Sequence, residues 1–127
     1  MVRRVRAGRP AALTVDGPTG PPRWVQPGIV QLARLTGGWI LPITSSSARP
    51  RFLASWDRYL LPKTFSRNVV LYGEPFPIDG RDSDEDARTK IAAALDEATK
   101  EADRLCGTVP AAVWSEPSAA PAAEKSP

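Results

Sequence analysis

Apolar and polar positions follow one another along this chain in short blocks, each with its own period. Val2 and Val5, set among Arg3, Arg4 and Arg6, give the last turns of a basic amphipathic helix that stops at Gly8. Ala11 to Val15 is an apolar run expected as a short buried strand. A Gly/Pro-dense segment follows. From Gly28 to Leu35, apolar side chains at Ile29, Val30, Leu32, Ala33 and Leu35 predict a short, mostly buried helix closed by Gly37 and Gly38. Trp39 to Thr44 reads as a second strand, with Pro42 favouring a strand end or an edge. Beyond a serine-rich loop, Phe52 to Leu61 mixes aromatic and charged residues, and Asn68 to Gly73 reads as a third strand. Ser83 is placed as an N-cap ahead of Asp84, Glu85 and Asp86, acids that suit the positive end of a helix dipole. That helix is expected to reach Cys106, with Ile91, Leu95, Ala98, Ala102 and Leu105 as its apolar stripe and Gly107 as its stop.

The order strand, helix, strand, loop-rich segment, strand, helix predicts an α/β domain with a mostly parallel sheet flanked by helices. In such sheets ligands sit beyond the carboxyl ends of the strands, and the segments after Val15 and after Ile43 are expected to leave from that end. The chain of 127 residues has room for one core. Residues 1–107 form that domain in this reading. From Thr108 the Ala/Pro/Ser/Glu composition of residues 108–127 predicts a disordered tail.

Composition removes several chemistries. The chain has no histidine and one cysteine, Cys106, so it offers no imidazole base, no Ser-His-Asp or Cys-His site, no internal disulfide and no multi-cysteine metal cluster. The three acids from Asp84 to Asp86 are explained by the helix dipole rather than by a metal, and no catalytic residue is assigned. Cys106, near a helix end, reads as structural. No apolar run reaches the ~18 residues of a bilayer span, and the expected location is the cytoplasm or a membrane surface. The net charge of +3 hides an asymmetry: residues 1–67 carry 11 Lys/Arg against 2 Asp/Glu, and residues 68–127 carry 6 against 12. A positive field over the first part can attract lipid headgroups, a phosphorylated substrate or nucleic acid. The arginines at 3, 4, 6 and 9 fit membrane attraction or a solvated helix face, Trp24 and Trp39 fit a membrane interface or ordinary packing, and Trp56-Asp57-Arg58 fits a substrate contact or an anchored ion pair.

The segment Asp16-Gly17-Pro18-Thr19-Gly20-Pro21-Pro22 combines glycines, which let backbone amides approach a ligand, with prolines, which fix a loop before it binds. Arg23 and the helix start at Gly28 add positive charge and free amides for an anion. Gly/Pro-rich connectors also serve simply as turns, and composition alone leaves both readings open.

The stretches "LTVDGPTGPPRWVQPGIVQLARLTGGWILPI" and "SWDRYLLPKTFSRNVVLYGEPFPI" resemble the second half of a bacterial lysophospholipid acyltransferase domain, in the subgroup long labelled a domain of unknown function. That subgroup has a Val-Asp-Gly-Pro-Arg-Gly-Pro block, a Pro-Gly helix start, an "I.P" strand and an "SWD" segment, and the likeness runs in order over about residues 1–80. The resemblance implies an incomplete lysophospholipid-acyltransferase-like fold at the inner face of the membrane. It implies transfer of an acyl chain from acyl-CoA or acyl carrier protein, as co-substrate, to a phosphorylated or lipid acceptor such as an anionic lysophospholipid, with no resident cofactor. It also implies that Asp16, Gly17, Pro18, Thr19 and Gly20 bind the acceptor together with Pro42, which lines up with a Val-Pro pair on the next strand. Thr19 stands where the subgroup has arginine, and Arg23 is the candidate substitute.

The family's catalytic His-x-x-x-x-Asp motif, whose histidine takes the acceptor's hydroxyl proton, has no counterpart here. The expectation is a C-terminal part of a longer protein, inactive as this chain and poorly soluble or prone to self-association through the sheet edge and apolar surface that the missing part would cover. Two other classes stand beside it: a non-catalytic headgroup-binding remnant, and a small basic nucleic-acid-binding protein. The last rests on charge alone, since no helix-turn-helix, zinc or RNP-like pattern is present.

Overall fold

The computed structural model describes residues 1–15, 24–52 and 60–108. Helix α1 covers Val2–Arg6, and Gly8 follows at φ +77°, the left-handed region that suits glycine. Arg6 donates two hydrogen bonds to the Leu35 carbonyl and so ties α1 to the end of helix α2, Pro27–Thr36. Proline at the first turn of α2 loses no helical hydrogen bond, and Gly37 closes the helix in the left-handed conformation.

Six short strands follow: β1 Trp39–Ile40, β2 Ile43–Ser47, β3 Pro50–Phe52, β4 Leu60–Pro62, β5 Asn68–Tyr72 and β6 Phe76–Pro77. They pair as β1 with β6, β2 with β5 and β3 with β4, every pair antiparallel. The three ladders lie in line along one two-stranded ribbon, with residues 39–52 running out and 60–77 running back. Backbone bonds from Gly73 to the Pro42 carbonyl and from Ala48 to the Arg67 carbonyl continue the pairing across both breaks. At the first break Leu41 and Pro42 face Gly73, Glu74 and Pro75, a one-residue bulge. At the second, Ala48 and Arg49 face five residues, Lys63 to Arg67.

The mostly parallel sheet is therefore corrected to an antiparallel ribbon. Parallel neighbours need a crossover of about a dozen residues, usually a helix. Between β2 and β5 the described chain instead folds back through β3 and β4. The loop expected after Ile43 is also corrected, because Ser45 to Ser47 continue β2. Nor does Ala11 to Val15 form a strand: among the described residues none pairs with it, and its first four residues are exposed. The molecule remains a mixture of helix and strand.

Helix α3, Asp84–Cys106, crosses β2 and β5. Ser83 caps it by accepting from the Asp86 amide at 3.0 Å, and Gly107 ends it in the left-handed conformation. Its buried stripe is Ala87, Ile91, Ala98, Ala102 and Cys106, with Leu95 half-buried. Leu105 lies outside the stripe at 43 % exposure, since a helix of 3.6 residues per turn brings Cys106 inward at that point. The apolar core gathers Val25, Val30, Ala87 and Ile91, with Val15, Ile29, Ile40, Phe76 and Ile78 packed around them. No helix among the described residues is long and apolar enough to cross a membrane.

Along β2 the contact with α3 is polar. Thr44 and Thr99 share a hydroxyl hydrogen bond at 3.1 Å, and Ser46 donates to the Asp103 carboxylate. Two residues along a strand rise about 6.6 Å and four along a helix about 6 Å, so alternate β2 positions meet successive turns of α3. Ser47 completes this end: its carbonyl accepts from the Thr108 hydroxyl at 2.7 Å and its own hydroxyl bonds Ser66 at 3.1 Å.

Candidate functional site

Asp16, Gly17, Pro18, Thr19, Gly20 and Arg23 lie outside the described residues, as does Trp56-Asp57-Arg58. The residues flanking the Gly/Pro segment do fix where it begins and returns. The Gln26 amide donates to the Val15 carbonyl at 2.7 Å, so the chain leaves and comes back at one point. Val15 and Val25 both pack into the apolar core, which pins this junction in place.

Arg88, from α3, braces the returning side. Its Nε donates to the Val25 carbonyl at 2.8 Å, and its guanidinium lies 3.9 Å from the centroid of the Trp24 ring. Sequence reasoning missed Arg88. The available signal was its place next to Ala87 on the core edge of α3, but its partners are more than sixty residues away in sequence.

The start of α2 differs in electrostatics from the start of α3. Gln26 supplies no side-chain cap, no acid lies in the first turn, and open space surrounds Gly28 where a side chain would stand. Among the described residues, neither a side-chain cap from Gln26 nor a first-turn acid meets the positive end of the α2 dipole beside the junction. At α3 the same end carries Ser83 and three acids, one of which, Asp84, pairs with Arg34.

Pro42 is buried at the bulge between β1 and β2. Its carbonyl accepts from Gly73 at 2.8 Å, and a side chain at Gly73 would come within 3.3 Å of the Pro42 ring. Glycine there allows the two strands to approach. Ile40, two residues before Pro42, packs on the same core as Val15 and Val25. The strand leading to Pro42 and both flanks of the Gly/Pro segment therefore converge on one cluster.

The buried serines and the cysteine have structural partners. Ser46 and Ser47 are buried, and their hydroxyls are bonded to Asp103, Thr108 and Ser66, with no imidazole in the chain to activate either. Cys106 is buried and its thiol donates to the Arg67 carbonyl. Among the described residues, no group of three acids or cysteines is placed to hold a metal. On the surface, the Arg104 hydrogen bond holds the Glu101 carboxyl below its usual range, and the Asp82 hydrogen bond raises the Lys90 ammonium above its own. Trp24 is half-buried under Arg88, whereas Trp39 is 66 % exposed on the ribbon.

No protein-family model matches this chain, and no solved structure matches it. It is similar to an uncharacterized protein of Rickettsia prowazekii (strain Madrid E), 31% identical over 78 residues. The match takes in 61% of this chain and 36% of the relative, so the chain spans about a third of that protein's length.

Proposed function

We propose that this chain is the acceptor-binding part of a lysophospholipid acyltransferase domain acting at the inner face of the membrane, and that by itself it binds the acceptor without transferring an acyl group. The observation that carries the reading is the convergence of Val15, Val25 and Ile40 on one core cluster. The resemblance assigns the Gly/Pro block and Pro42 to a single site, and the anchors of both meet on that cluster. The uncapped start of α2 beside the junction favours an anionic group.

In this reading Asp16, Gly17, Pro18, Thr19 and Gly20 form the loop that takes the acceptor's phosphate, and Arg23 supplies the cation missing at Thr19. Acyl transfer forms an ester between the acceptor hydroxyl and the thioester carbonyl carbon, breaks the carbon–sulfur bond and releases a thiol. The hydroxyl proton must pass to a base, and the chain has no histidine to take it.

Titrating the full chain with lysophosphatidate and with glycerol 3-phosphate, followed by incubation with acyl-CoA, tests both halves of the proposal. Saturable binding weakened about tenfold by Arg23→Ala, with no acyl product, is the expected result. Clear turnover would sink the claim of inactivity. Absence of binding, or binding indifferent to Arg23→Ala and Asp16→Ala alike, removes the acceptor site.

A further inference from the structure

One face of the ribbon packs on α3 and the other meets solvent. Alternation along the strands sends Thr44 and Ser46 inward to α3 and turns Trp39, Leu41 and Ile43 outward, joined by Val70 and Tyr72 on the returning strand. Register makes these outward residues contiguous, since Ile43 lies opposite Tyr72 and Val70 opposite Ser45. Their exposures are 66, 46, 50, 60 and 65 % in sequence order. At about 150–250 Å² for an aromatic side chain and less for an aliphatic one, they leave on the order of 500 Å² of apolar surface in water. That stands near the top of the ~300–600 Å² range for the largest patch on a monomer.

The face is also almost free of charge. Residues 39–47 and 68–77 contain one charged side chain, Glu74. Free strands are normally guarded against pairing by lysines or inward-pointing charges, and residues 39–47 and 68–77 have only prolines in that role. A surface made for anionic lipid would present cations. Here the cations sit on α1 and toward the β3–β4 end, at Arg49, Arg51, Lys63 and Arg67.

We infer that the outer face of the ribbon is a self-association surface on which a second copy of this chain docks face to face. A twofold axis lying across the ribbon sets the bulky Trp39 end of one copy over the smaller Ser45–Val70 end of its partner. Both copies contribute the patch, so about 1,000 Å² of apolar surface is covered. The polar rim of Ser45, Asn68 and Glu74 brings the total to the ~1,200–2,000 Å² of a stable interface. The contact opposes no like charges except at the rim. This inference concerns the surface of the chain and does not depend on the acyltransferase reading.

Sedimentation equilibrium on the full chain over about a hundredfold range of concentration tests it, with Val70→Lys as the variant. A discrete dimer whose dissociation constant rises about tenfold or more in Val70→Lys, with an unchanged far-ultraviolet spectrum, is the expected result. Tyr72→Lys, at a separate exposed position, serves if Val70→Lys does not fold. A monomer throughout overturns the inference, and so does open-ended association that grows with concentration. A dimer indifferent to both substitutions places the interface elsewhere, and a monomer that binds phosphatidylglycerol vesicles through these residues gives the face to a membrane; either overturns it.

Discussion

The first half of α3 is held by apolar side chains, Ala87 and Ile91 against Val25 and Val30, whereas its second half is held by hydroxyls and a carboxylate, Thr99 and Asp103 against Thr44 and Ser46. Apolar burial has no direction and scales with area, so in the first half it gathers the Gly/Pro junction, α2 and β1, while Arg88 on the Val25 carbonyl and Asp84 on Arg34 fix the position of α3 there. Hydrogen bonds depend on distance and angle, and those of the second half set the register of α3 on β2. Polar contacts index both ends, and what differs is the packing beneath them: an apolar core at the first, a row of hydroxyls at the second.

Substitutions separate the two ends. The largest expected effect is at Ile91, which is 1 % exposed in the middle of the core: Ile91→Ala should cost about 2–5 kcal/mol in a urea melt. It should also loosen the junction that Val15 and Val25 share with it, read as faster amide exchange at Gln26. A cost below about 1 kcal/mol would show that this end is not a packed core. Next in size is Asp103→Ala, which strips the buried Ser46 hydroxyl of its shortest partner and should cost about 1–3 kcal/mol. Adding Ser46→Ala removes the stranded hydroxyl as well, so the double variant should be no less stable than Asp103→Ala alone. Additive losses would mean that the two side chains do not act as a pair.

All three helices were legible in the sequence because their signals are local. Ser83, the acid trio, Gly37 and Gly107 fell where expected, and the 3.6-residue period found the stripe on α3 apart from its last member. Strand positions at 39–44 and 68–73 were legible as well, but the direction of their pairing was not. Direction depends on which residues meet across some thirty intervening ones, and an apolar run looks the same in a parallel sheet and in an antiparallel ribbon. Ser45 to Ser47 look like a loop by composition, yet they are strand residues whose hydroxyls meet α3 and its flanks. Ala11 to Val15 look like a strand and pair with none among the described residues. Of the candidate site, Pro42 and the flanks of the Gly/Pro segment are described, and Arg88 joined them only through tertiary contact.

The smallest expected effect sits on the exposed side of the second half of α3. Arg104 lowers the Glu101 pKa in the folded chain, so the contribution of this pair is present above the ordinary carboxylate pKa and fades as pH falls through the lowered one. Glu101→Gln should leave stability unchanged at the acid end of a pH series and remove a slight gain at neutral pH. A larger effect in acid than at neutrality would contradict the assignment.

The in-line ribbon also bears on how quickly the chain can find its fold. Arg34 on α2 and Asp84 on α3 are 50 residues apart in sequence, and bringing them together directly means closing that whole loop. Once Trp39 has zipped to Pro77, only the short links Leu35–Gly38 and Ile78–Ser83 remain open. Loop closure grows as about (3/2)RT ln n, so prior zipping lowers the entropic cost of docking the two helices by roughly 1–1.5 kcal/mol. A ribbon zipped first therefore presents the two helices to each other across two short links instead of one long loop.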